Sequence, residues 1–318
     1  MFSTIVFTLF VLLAGRVQAA NIVPADQYDP VINPADFSDT ITNSNFALAV
    51  GKKFVVEAAT KDGLEQIEIL IPGWTKEVLG VKTLVYWDRV YVDGELVEDT
   101  RDYLAQHKNG DVWYFGENVD NYEGGKLIDH DGSWVAGING AKPGIWIKGT
   151  HTVGDSYRQE LYKGQAEDMR DVVAVGQTVK TRKQTYTDCI QMYDWTPLDV
   201  ESREHKYYCP EVGAMALGKH LVKNETSELI AIETMNGAGP VVPNAYVKEG
   251  VKVAAAASSA SEAKKVSASI ESWFGSEESG EIGDAENRDS WIGVAVGLII
   301  GFVLAVLFQK VWWRQKQA

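Results

Sequence analysis

An all-β fold, one antiparallel domain built as a curved sheet, a sandwich or a half-barrel, is what three features of the sequence predict. Turn signals recur throughout residues 46–231: "DGLE" at 62, "DGEL" at 93, "KNGD" at 108, "EGGK" at 123, "NGAK" at 139 and "VGDS" at 153. Short runs of β-branched and aromatic residues separate them, whereas helix-length periodic stretches are few. The spacing leaves room for roughly a dozen strands, and Asn-Gly, Asp-Gly and Gly-Gly pairs are hairpin turn chemistry.

Composition sets the class of partner. The chain has 318 residues, is 45% hydrophobic, and carries 44 acidic against 30 basic side chains, a formal net charge of −14. Such a balance repels phosphate backbones, and no basic run offsets it, so nucleic acid is excluded as a partner class.

In chain order, residues 1–20 read as a signal peptide: an apolar core at residues 5–14 precedes Val17-Gln18-Ala19, a small-x-small pattern that places cleavage after Ala19 or Ala20. The apolar core is too short to span a bilayer. Residues 21–45, with Pro24, Pro30 and Pro34, read as an extended leader, and residues 46–247 as the antiparallel β-domain. Residues 248–290 shift to Ala, Ser, Glu and Gly and form an acidic tether. Within it Val266, Ile270, Trp273 and Phe274 share a short amphipathic helical face.

Residues 291–311 are expected to be a transmembrane helix, uncharged from Trp291 to Phe308 and bounded by Trp291, Trp312 and Trp313. Asp284, Glu286 and Asp289 precede it; Lys310, Arg314 and Lys316 follow, in or beside a basic tail at 312–318. The positive-inside rule therefore puts the C-terminus in the cytoplasm and the β-domain outside. Removal of this helix as a processing signal is the alternative; no cleavage motif precedes Trp291. Gly293, Gly297, Gly301 and Ala305 recur every fourth residue along it, a small-residue stripe that lets helices approach closely, so homo- or hetero-association in the membrane is expected.

The two cysteines, Cys189 and Cys209, flank "TPLDVES" symmetrically about Asp199. A hairpin centred there pairs Tyr193 with His205 and Trp195 with Arg203, bringing the cysteines face to face as a cross-strand disulfide, the ordinary state in an exported domain.

The stretch "DVWYFGENVDNYEGGKLIDHDGSWVAGINGAKPGIWI" concentrates acids and aromatics. A two-residue turn at Gly124-Gly125 pairs Glu123 with Lys126. Regular counting then sets Asp120 opposite Asp129, Asn118 opposite Asp131, Val119 opposite His130, Phe115 opposite Trp134 and Trp113 opposite Ala136. Opposed aspartates are destabilising unless solvent or a cation screens them. Asn118, Asp120, Asp129 and Asp131 thus read either as a solvated polar face or as a calcium site. The ordered ligand series of a calcium loop is missing, which favours the solvated face.

No catalytic residue and no further cofactor is assigned. The esterase-like "GDS" at 154–156 lacks its α/β context and a downstream Asp-x-x-His, and the five histidines lack metal-binding spacing. Trp113, Tyr114, Trp134, Trp146 and Trp195 serve either the core or a ligand face, the core being the commoner use.

"VYVDGELVEDTRDYLAQHKNGDVWYFGENVDNYEGGKLIDHDGSWVAGINGAKPGI", "VGDSYRQELYKGQAEDM" and "DCIQMYDWTPLDVESREHKYYCPEVG" together resemble a family of exported bacterial domains of unassigned function, over residues 46–232. The resemblance implies an extracytoplasmic β-fold in one domain; the family has no established activity or catalytic residues, so no functional residue is carried over from it. Cys209 departs from it, where a small residue is common, as do the tether and the membrane helix.

The expected function is a membrane-anchored extracytoplasmic binding or accessory module of the bacterial envelope, non-catalytic. A carrier of lipid or another apolar ligand in a half-barrel is one alternative. The other is a hydrolase using Glu117, Asp129, His130 and Asp131, for which the separation of the carboxylates is decisive.

Overall fold

The computed structural model describes residues 22–235. The signal peptide, tether, membrane helix and the stripe Gly293, Gly297, Gly301 and Ala305 lie outside them. No helix among the described residues is long and apolar enough to cross a membrane.

The first half of the wall is a run of hairpins. β1 (Phe37–Ser38), β2 (Ile41–Asn43) and β3 (Phe46–Leu48) are short; β4 (Lys52–Thr60) and β5 (Gly63–Leu70) form a regular antiparallel pair from Thr60 opposite Gly63 to Lys53 opposite Leu70. After β6 (Thr75–Val78), the long strands β7 (Val81–Val92), β8 (Glu95–His107) and β9 (Val112–Glu123) meander side by side. β10 (Lys126–Asp129), β11 (Trp134–Val135) and β12 (Lys142–Ile147) each pair with a different part of β9.

The second half comprises β13 (Ser156–Arg158), β14 (Glu160–Leu161), β15 (Met169–Lys180), β16 (Thr185–Trp195), β17 (Arg203–Cys209), β18 (Ala214–His220) and β19 (Glu225–Thr234). β15 to β19 pair in sequence order, and β19 returns to β4. Segment 156–161 then bridges the two halves, β13 pairing with β15 and β14 with β12. One 17-stranded antiparallel sheet results, curled into a nearly closed barrel.

Closure is weakest at the β12–β14 seam, which consists of Lys142 opposite Leu161 and Pro143 opposite Glu160. Proline brings no amide donor, so this ladder is short of hydrogen bonds. Gly144 makes the approach feasible. A Cβ there would stand 2.4 Å from the Gln159 carbonyl carbon.

The leader belongs to the fold. The β2–β3 hairpin plugs one end of the barrel, where Phe46 packs against Tyr86, Trp146 and Tyr208 with ring centroids 5.9, 5.9 and 6.0 Å away. Its polar groups are satisfied: Asn43 Nδ2 donates to the carbonyls of Gly110 and Lys148, and the amide of Ala47 donates to Gly213. Phe37 covers the outside of β8 and β9, 5.3 Å from Phe115.

The cysteine hairpin has the register read from its symmetry. Tyr193 faces His205, Trp195 faces Arg203, and Ile190 faces Tyr208. Cys189 and Cys209 are disulfide-bonded with Cα atoms 4.1 Å apart, beneath Val179, Tyr186 and Leu217 in a small separate core.

The β9 hairpin departs from the register expected. Gly124 and Gly125, with φ of +54° and +72°, form the turn, and Glu123 faces Lys126. A register shift between Leu127 and Asp129 then sets Asp129 opposite Asn121, not Asp120, and further along Trp134 faces Glu117, not Phe115. Asp120 does not face Asp129; its partner across the ladder is Asp99 of β8. A second irregularity, between Asp102 and Leu104 against β9, reverses the faces of the strand, so that Phe115 points outward to Phe37 while Glu117 and Val119 point inward. Each inserted residue inverts side-chain alternation, and simple counting misses it.

Candidate functional site

Alternate residues along β8 have opposite fates. In Glu98-Asp99-Thr100-Arg101-Asp102, Asp99 and Arg101 face outward, where Arg101 bridges Asp99 (2.8 Å) and Asp120 (3.2 Å). Trp87 Nε1 donates to Asp99 Oδ1 at 2.7 Å, and the Arg89 guanidinium lies over the Trp87 and Tyr91 rings. His130 Nδ1 sits 2.7 Å from the other Asp120 oxygen. The outer acids are thus compensated.

The inner face is different. Register carries Glu98, Thr100 and Asp102 inward beside Asp88 and Tyr86 of β7, with Asp102 directly opposite Glu117 of β9. Glu65, Glu160, Asp168, Asp194 and Glu204 join them from the other strands, and all of these carboxyls are buried. The interior therefore mixes these acids and aromatics with aliphatic side chains such as Val56, Ile67, Val90, Leu104 and Val119.

Among the described residues two buried cations serve this interior, both on the β15–β17 wall. Arg170 grips Asp194 through Nε (2.6 Å) and Nη2 (2.5 Å), donates to the Trp146 carbonyl and reaches the Tyr208 hydroxyl at 3.2 Å. Lys206 stands 3.4 Å from Asp194 and 3.3 Å from Glu204. Burial alone would raise Asp194, but Arg170 and Lys206 outweigh it and hold the carboxyl below its usual value.

Across the barrel no ion pair reaches Glu65, Asp88, Asp102, Glu117 or Glu160 among the described residues. Both carboxyl oxygens of Glu65, Oδ1 of Asp88 and Oε1 of Glu117 are buried without a hydrogen-bond partner. Burial, reinforced by Glu204 and its neighbours, pushes Glu65 up to about 9. Burial likewise takes Asp102 to about 7 against the hydrogen bond from Tyr114 Oη (2.6 Å), and Glu160 to about 8 with Asp102 nearby. Asp88, Glu117 and Asp168 rise well above the carboxylate range for the same reason, burial first and neighbouring acids second. Ionising them together in a dry interior would cost far more than the fold's stability, so this wall is built of neutral carboxylic acids at moderate pH.

The residues singled out from sequence are dispersed. Asp120 is buried in the outer ion network; Asp129 Oδ1 accepts from Asn121 Nδ2 (2.7 Å) and the Asp131 amide (3.2 Å), while Asn118 lines a shallow recess of about 190 Å³ with Ser133, Trp134, Val135, Ile138, Asn139 and Tyr162. Among the described residues no three His, Cys, Asp or Glu side chains are placed to hold a metal ion. Glu117 is buried opposite Asp102, Asp129 faces Asn121 at the end of β10, and His130 bonds Asp120 on the outer face, so Glu117 and His130 of the hydrolase set are separated by the sheet. Tyr114, Trp134 and Trp146 are core residues; Trp113 and Trp195 are half-buried.

Sequence reasoning passed over the inner acids. Their signal was the period-two pattern of Glu98, Thr100 and Asp102, echoed by Tyr86 and Asp88, but the alternate set Asp99 and Arg101 carries the same pattern on the other face.

No family model matches the chain, and no curated protein does. Among solved structures, a "putative lipoprotein" from Parabacteroides distasonis is similar at 10% identity and a TM-score of 0.33, over 59% of this chain and 98% of that one. Similarity at that level carries no conclusion about fold or function.

Proposed function

We propose that the chain is a non-catalytic binding or accessory module of the bacterial envelope, exported by its N-terminal segment and held at the membrane by residues 291–311, with its barrel outside and its C-terminus in the cytoplasm. The observation that carries the reading is the separation of reactive groups by the sheet. Glu117 is buried on the inner face opposite Asp102, whereas His130 meets Asp120 on the outer face and Asp129 pairs with Asn121 at the end of β10, so Glu117 and His130 do not share a cleft. The recess beside Asn118, at about 190 Å³, falls below the range of roughly 300–1,000 Å³ typical of small-molecule pockets, which favours a macromolecular partner. The Cys189–Cys209 disulfide suits an oxidising compartment.

Association through Gly293, Gly297, Gly301 and Ala305 is part of this proposal. Its test is copurification of the full chain from membranes in mild detergent, with a differently tagged second copy present, beside the Gly297→Leu variant. A second copy or another membrane protein retained by the parent and lost from the variant is the expected result; identical copurification overturns it.

A further inference from the structure

The barrel's weakest join lies against its least compensated acids. The β12–β14 seam is made by Pro143 facing Glu160 and Lys142 facing Leu161. Glu160 and Asp168 flank it on one side, and Asp102 and Glu117, opposed on neighbouring strands, approach it from the other. Glu117 has an orphaned oxygen, as does Asp88, although both side chains are more than nine-tenths buried. A dry carboxyl oxygen without a donor is tolerable when the group is neutral and costly when it is charged.

We propose that this seam is a proton-operated latch, closed while Asp102, Glu117, Glu160 and Asp168 are protonated and released when they ionise. Most of the groups around it oppose ionisation; Arg170 and Lys206 favour it, as do the hydrogen bonds from Tyr114 to Asp102 and from Thr196 to Asp168, and Lys223 acts on Glu65 and Glu204. From β7, Asp88 and Tyr86 face the cluster; from β8, Glu98; from β9, Tyr114. From β5 and β17, Glu65 and Glu204 are further buried acids, with Glu225 and Lys223 close to Glu65, and the Tyr157 and Tyr208 side chains of β13 and β17 lie near Arg170. The two cations, Arg170 and Lys206, are already committed to Asp194 and Glu204. Charge that develops at the seam therefore meets more acid than base, and repulsion falls on a join held by a minimal ladder.

The sign follows from linkage. These carboxyls have folded values above their unfolded ones, so their contribution to stability is complete below about pH 4 and is lost as pH rises through the range from about 7 to about 9 spanned by Asp102, Glu160 and Glu65.

Hydrogen exchange on the full chain in mild detergent, corrected for intrinsic chemical exchange, tests the latch between about pH 5 and about pH 9.5, either side of that range. Amides of 142–147 and 156–161 should lose at least about tenfold more protection than those of the β4–β5 hairpin, and Glu117→Gln with Glu160→Gln should abolish the difference. Parallel loss in seam and control, or a variant that behaves as the parent, overturns the proposal. Should the double variant not fold, the infrared carbonyl stretch of neutral carboxylic acids in the parent decides: it should be present at the acid end and gone at the alkaline end, and its absence at the acid end is contradictory.

Discussion

The two walls of the barrel interior use the same residue types in opposite ways. On the β15–β17 wall, Asp194 is fully buried and yet charged, because Arg170 and Lys206 supply matched donors at 2.5 to 3.4 Å. On the β7–β9 wall, Asp88, Asp102 and Glu117 are equally buried and lack such partners, so burial drives them to the neutral form. Burial does not decide a carboxyl's charge; its neighbours do.

Substitutions that exchange the character of the two walls should break this contrast. The largest effect is expected for Arg170→Met, which strands a buried Asp194 charge and should cost about 3–5 kcal/mol in denaturant unfolding at neutral pH. A loss below about 1 kcal/mol would mean that the paired wall is not held by its ion pair. Removing the disulfide with Cys189→Ala and Cys209→Ala should cost about 3 kcal/mol. That loss should be equal at acid and alkaline pH, which makes it the control for the pH-dependent wall.

Glu117→Gln acts on the other wall with the opposite sign. Because it replaces an acid that must stay neutral by a permanently neutral amide, it should leave the thermal midpoint nearly unchanged at about pH 5 and raise stability by about 1–3 kcal/mol at about pH 9. Destabilisation at both pH values would contradict the neutral-acid reading. The smallest effect is expected on the outer face. His130→Ala removes an exposed partner from Asp120, which keeps Arg101, and should cost less than about 1 kcal/mol by denaturant midpoint.

The β16–β17 hairpin shows what was legible in the sequence. Its turn sits centrally between Cys189 and Cys209 and its ladder runs without interruption from Trp195–Arg203 to Ile190–Tyr208, so counting from the turn reaches the correct partners. The β9 hairpin begins from an equally clear turn, but its register slips near Ile128 and again opposite Tyr103. Bulges depend on how the strand must bend around the barrel, a tertiary requirement that no turn motif announces. The same limit hid the site. Alternation along Glu98-Asp99-Thr100-Arg101-Asp102 declared two faces without saying which was inside, and a barrel that buries its acids reverses the usual expectation. The plug was hidden for another reason. Phe46 and Asn43 belong to strands of three residues whose partners are far away in sequence.

Counting the protons released on unfolding tests the central claim most directly. Calorimetric unfolding of the full chain near pH 7, compared between buffers of different ionisation enthalpy, reads that number. Glu65, Asp88, Glu117, Glu160 and Asp168 each surrender a proton on exposure, while His151, His205 and His220, held neutral by burial, take up little at that pH. The account predicts a net release of about three protons or more. No release, or a net uptake, would mean that the interior carboxyls are ionised in the folded protein and would contradict it.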